Sequence, residues 1–100
     1  MSTKKYTLEN LEKEFGEISF ADLLLIQRED EELTQVDMAA KLKITKQKLC
    51  DFEKGRRIPS AKMAAAWAKK LKQPQEVWVQ IVLQDTLRKD NLDLKVSVAS

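Results

Sequence analysis

Two short helical patterns separated by only a few residues occupy positions 34–60, and no other stretch restricts the fold as much. Val36, Ala39, Ala40 and Leu42 place a small apolar stripe at helical spacing, and Leu49 with Phe52 gives a second stripe after a short break. Two helices joined that tightly must cross steeply. Facing outward on the second are Lys46, Gln47, Lys48 and Asp51, which carry charges or an amide rather than bulk. Such a face suits water or a polar partner. Gly55 then ends the second helix in the left-handed region, and Pro59 keeps it from resuming before Ser60.

Charge is distributed in a step that the net value of +2 conceals. Residues 1–33 carry nine acids against four bases, whereas residues 34–72 carry eleven bases against three acids. A basic helical pair beside an acidic flank points to one face for a polyanion and another kept away from it. A solvated lysine-rich surface is the plainer reading of the same residues. The chain has no histidine and a single cysteine, Cys50, so it lacks the commonest general base and metal ligand and cannot close an internal disulfide. No nucleophile stands beside a base and no glycine-rich phosphate loop is present, so no catalytic residue, metal or other cofactor is expected. No apolar run approaches the roughly 20 residues of a membrane span. A soluble, cytoplasmic protein is the expectation.

One hundred residues suffice for one domain with a modest core. Residues 1–18 read as an N-terminal extension with a short helix, capped by Thr7 and carrying Leu8, Leu11 and Phe15 on one face. Residues 19–88 read as the main all-α domain. Ser19, Thr34, Thr45 and Ser60 are spaced as helix caps, and Met63, Ala64, Trp67, Ala68 and Leu71 line one face of the helix after Ser60. The acids from Glu29 to Glu32 fall at a helix C-terminus, where the dipole disfavours them, so fraying is expected there. Pro74 is placed for the first turn of a last helix whose apolar residues wrap nearly all the way round. One small domain cannot bury such a helix on every side. A second subunit is expected over Trp78, Val82 and Leu83. In the tail, 89–100, Leu92 to Val98 alternates apolar and polar, a strand-like pattern that can pair with a symmetry mate through Leu94 and Val96 or extend a partner's sheet.

Thr34 and Gln35, Met38 and Ala39, Leu42, Ile44 and Thr45, Leu49, Phe52 and Glu53, Gly55, and Pro59 with Ser60 resemble the Cro and phage-repressor type (XRE family) helix-turn-helix. The match spans residues 20 to about 71 without insertion, with 34–54 as the helix-turn-helix. The resemblance implies a five-helix domain, here extended by the short N-terminal helix and the strand-like tail, that binds double-stranded DNA as a homodimer with helix 45–54 in the major groove. One departure is Lys43, where the family usually has glycine. Lys43 must adopt a left-handed conformation at a cost on the order of 1 kcal/mol or sit in a reshaped turn.

Carried over position by position, Lys46, Gln47, Lys48 and Asp51 resemble base-contacting residues. Lysine suits guanine O6 and N7, glutamine suits adenine N6 and N7, and aspartate can accept from cytosine N4 or repel other approaches. Gln35, Thr45, Lys54, Arg56 and Arg57 resemble backbone contacts, which position without reading sequence. Arg28 and Glu53 match a structural ion pair. The function implied is a sequence-specific transcriptional regulator, a repressor on a palindromic operator. The alternative is a HigA-like antitoxin of a toxin-antitoxin pair, which would also bind DNA and would hold a small basic toxin through an acidic N-terminal segment or the strand-like tail.

Overall fold

Side-chain caps set where the first four helices begin. In the computed structural model, which describes residues 18–92 and Leu94, five α-helices follow one another: α1 (Phe20–Asp30), α2 (Gln35–Leu42), α3 (Lys46–Glu53), α4 (Ala61–Lys70) and α5 (Gln75–Lys89). The Ser19 hydroxyl accepts from the Asp22 amide at 3.1 Å while the Asp22 carboxylate accepts from the Ser19 amide at 3.3 Å. Thr34 and Asp37 repeat this reciprocal box before α2. Thr45 and Ser60 accept at 3.1 Å from the amides of Lys48 and Met63. Pro74 is the cap residue of α5 rather than part of its first turn, so the helix begins one position later than expected.

The helix ends share one device. After each helix a residue at positive φ lets two successive amides turn back onto carbonyls of the last turn: Glu32 (55°), Lys43 (60°), Gly55 (75°), Lys72 (57°) and Asn91 (58°). At the end of α3, for example, the Gly55 amide donates to Phe52 O at 3.2 Å and the Arg56 amide to Asp51 O at 2.9 Å. Lys43 therefore takes the left-handed alternative. The end of α1 is closed in the same way, with Glu31 accepting from Gln27 Nε2 and, at 2.8 Å, from Lys41 Nζ. These bonds hold the acidic segment that the dipole alone would fray.

A chain of aromatic rings runs through the core. Trp78 of α5 meets Phe20 of α1 edge to face at 5.6 Å, Phe20 meets Trp67 of α4 at 6.1 Å, and Trp67 meets Phe52 of α3 edge to face at 5.2 Å. Leu23, Leu24, Met38, Ala39, Leu42, Leu49, Ala64 and Ile81 fill the space around the rings. Asp85 of α5 accepts from the Phe20 amide at 2.7 Å and pairs with Arg88, which also donates to Ile18 O at 3.3 Å. The last helix thus holds the start of the first.

Burial differs from the sequence expectation at three places. Val36 is 59% exposed and Ala40 is exposed, because α2 turns Met38, Ala39 and Leu42 inward and these two away. Met63 stands at the surface instead of in the core. Trp78 and Val82 are each 1% exposed, consumed by α1 and α4 of the same chain, so neither offers surface to a second subunit. Of the three α5 residues expected there, only Leu83, at 36% exposed, is left outside. The N-terminal helix and the strand-like tail, Val96 included, lie outside the described residues, apart from Leu92 and Leu94.

The positive-φ ends give a paired test by urea denaturation. Lys72→Gly should stabilise by about 0.5–1 kcal/mol, since glycine removes the left-handed strain and returns part of the gain as chain entropy. Gly55→Ala should destabilise by about 1 kcal/mol. Apart from its two chain neighbours, no atom of the described residues lies within 4 Å of an added Cβ at Gly55, so that loss comes from the backbone alone.

Candidate nucleic-acid interface

α3 is eight residues long and divides cleanly into two faces. Leu49 and Phe52 are buried against the core, and Lys46, Gln47 and Lys48 are exposed. Neither α3 nor α4 carries an acid in its first turn, whereas α1 has Asp22 and α2 has Asp37. The amide ends of α3 and α4 therefore keep their partial positive charge uncompensated. The loop leaving α3 exposes Lys54, Gly55, Arg56 and Arg57 in succession. Exposed lysine, glutamine and arginine thus flank α3 at both its start and its exit.

The structure adds partners that spacing alone does not reveal. Asp51 is half-buried beneath this face, and its Oδ1 accepts from Gln47 Nε2 at 3.2 Å and from Arg56 at 3.3 Å. One carboxylate thereby orients a side chain of the helix and one of the loop. The Gln47–Asp51 contact follows from the four-residue spacing on one helix. The Arg56 contact depends on the loop doubling back after Gly55, which spacing does not give.

Glu53 forms a second node. Its Oε2 accepts from Arg28 Nε at 2.8 Å and its Oε1 from Gln35 Nε2 at 3.0 Å, while Arg28 Nη1 donates to Leu33 O at 3.0 Å. The expected Arg28–Glu53 ion pair is present, with side chains 18% and 5% exposed. It fixes α1, α2 and α3 at one point. Gln35, expected at a phosphate, directs its amide to Glu53.

An open groove of about 550 Å³ borders α3. Lys48, Arg56, Arg57 and, from α5, Lys89 are among the residues that line it. The floor includes Ile44, Phe52, Ile58, Pro59 and Met63. Lys89 is a groove residue that the sequence does not single out. A lysine in the last turn of a helix reads as a dipole partner, and only the packing of α5 on α4 brings it here.

A helix-turn-helix family model matches residues 24–74, just over half of the chain. The chain belongs to the Cro/C1-type helix-turn-helix (XRE) family. No curated protein and no solved structure matches it. Membership makes this a DNA-binding protein of the XRE transcription-regulator type, and the match covers α2 and α3 completely. The five-helix all-α architecture agrees with that family. No helix among the described residues is long and apolar enough to cross a membrane.

Because Glu53 is nearly buried, removing its cation should be damaging. Arg28→Met should lower stability by about 3 kcal/mol, the low end for breaking a buried pair, since Arg28 retains some exposure. Thermal unfolding of the variant beside Lys41→Met, which breaks the more exposed Glu31 pair and should lose no more than about 1 kcal/mol, provides the comparison.

Proposed function

We propose that the protein is a sequence-specific transcriptional repressor that occupies a palindromic operator as a homodimer, with α3 in the major groove. The observation that carries this reading is the exposed face of α3, where Lys46, Gln47 and Lys48 stand clear of a helix anchored from behind by Leu49 and Phe52. Lys46 donates to guanine, and the Gln47 amide pairs with adenine. Lys48 reaches a base or the neighbouring phosphate. Asp51 sets the direction of Gln47 and presents the acceptor that a cytosine amino group would meet. Gln35, Thr45, Lys54, Arg56 and Arg57 take the backbone, fixing register without reading sequence.

An inverted-repeat operator requires a second copy in matching orientation. Leu83, Leu92 and Leu94 are exposed apolar residues on and just after α5, and Gln84 Nε2 donates to Leu94 O at 2.7 Å, which draws the start of the tail toward that helix. This surface replaces Trp78 and Val82 as the dimer seam. The same exposed leucines favour one second reading, the HigA-like antitoxin, in which they hold a small basic toxin. Co-purification with the product of a neighbouring toxin-like reading frame would establish that reading, and its absence would remove it.

Fluorescence anisotropy with the chain's own promoter region tests the main proposal. Affinity should fall steeply as salt rises, and a protein that binds no DNA in a salt-dependent way is not this repressor. Lys46→Ala or Gln47→Ala should relax specificity by roughly 1–3 kcal/mol at a single base pair, whereas Arg57→Ala should weaken all sequences alike. Leu83→Asp should yield a folded monomer by light scattering with reduced operator affinity. A dimer that persists would move the seam elsewhere.

A further inference from the structure

We propose that the groove beside α3 receives a phosphodiester segment of the bound DNA and that Lys89 holds its backbone, so that the DNA footprint extends beyond the family-matched residues onto the last helix. This rests on the DNA-binding reading above and deepens it. Cations reach the groove from three elements: Lys48 from α3, Arg56 and Arg57 from the loop, and Lys89 from α5. No carboxylate among the described residues lines it. Among the described residues, Lys48, Arg57 and Lys89 hold no ion pair, and Arg56 shares Asp51 with Gln47. All four are exposed. Lys48, Arg57 and Lys89, three unpaired like charges around one open space beside the paired Arg56, repel one another until an anion enters, and a polyanion relieves that repulsion at several points together.

The floor narrows the choice of anion. Ile58, Pro59 and Met63 are apolar, so a hydrated inorganic ion would leave most of the groove unused. A nucleic-acid backbone alternates phosphate with sugar carbons, which matches a cationic rim over an apolar floor. The position agrees as well, because Lys48 belongs both to the groove and to the exposed face of α3. A strand whose bases meet Lys46 and Gln47 can continue its backbone past Lys48 into the groove. Lys89 also complements the dipole of α5, a role independent of DNA, so the test must read something a dipole partner does not change.

That quantity is the salt slope. Full-length protein is titrated by fluorescence anisotropy against an operator duplex and a scrambled duplex between about 50 and 200 mM salt. Lys89→Gln should weaken both duplexes by the same factor and reduce the log–log slope by about 0.9, the value of one neutralised phosphate, and Lys89→Arg should restore both. Lys70→Gln serves as the control. It lies at the far end of α4 from Ser60, about 15 Å along the axis, and does not line the groove. Its slope should equal that of the native chain. Thermal unfolding without DNA confirms that each variant is folded. The proposal is overturned if Lys89→Gln binds with an unchanged slope, or if it weakens the operator alone. A native chain that binds neither duplex overturns the DNA-binding reading itself, an outcome distinct from the other two.

Discussion

The ring chain from Trp78 through Phe20 and Trp67 to Phe52 is the interaction on which the rest of the molecule depends. It links α5, α1, α4 and α3 in that spatial order, so the outward face of α3 is fixed relative to the last helix by large rigid groups with few rotamers. Phe52 is the final member, and it lies one residue after Asp51 and one before Glu53. The two acidic nodes of the site therefore sit on either side of the residue that anchors α3. Removing that anchor would free the helix that carries Lys46 and Gln47 together with the groove that Lys89 completes.

Electrostatics in this fold consists largely of assigning the few acids near the basic segment to fixed tasks. Asp37 closes the box at the start of α2, Asp51 holds Gln47 and Arg56, and Glu53 holds Arg28 and Gln35. These are the three acids of residues 34–72. With all three engaged by specific donors, most of the eleven bases in the same segment remain uncompensated at the surface. A field favourable to a polyanion follows from that arrangement. It does not require a high net charge, and the whole chain has only +2.

The connections follow a single local rule that has a thermodynamic consequence. Five helix ends use a left-handed residue, and only one of the five is glycine. Glu32, Lys43 and Lys72 each carry strain on the order of 1 kcal/mol, less at Asn91 because asparagine tolerates this region, and it is accepted because the turn satisfies two carbonyls and returns the chain toward the core. Leu33 and Ile44, the residues after Glu32 and Lys43, pack against that core. Lys43 shows that the helix-turn-helix turn survives without glycine when the next residue is apolar and buried enough to hold it.

Much of this fold was legible in the residues themselves. Caps at Ser19, Thr34, Thr45 and Ser60, the stop at Gly55 and the polar outer face of α3 are local properties, each written within a few neighbouring positions, and the structure reproduces them. The Arg28–Glu53 pair, 25 residues apart, came from resemblance to a known family and could not have come from spacing. Which side of α5 is consumed by its own domain was decided only by packing. Trp78, Val82 and Leu83 are all apolar in sequence, yet the first two face Phe20 and the core while the third faces outward. The positions of Met63 and Lys89 beside one groove were likewise set by the crossing of α4 and α5. Sequence specifies periodicity and capping because these depend on near neighbours. Which faces meet, and which charges converge, depends on packing between segments far apart in the chain.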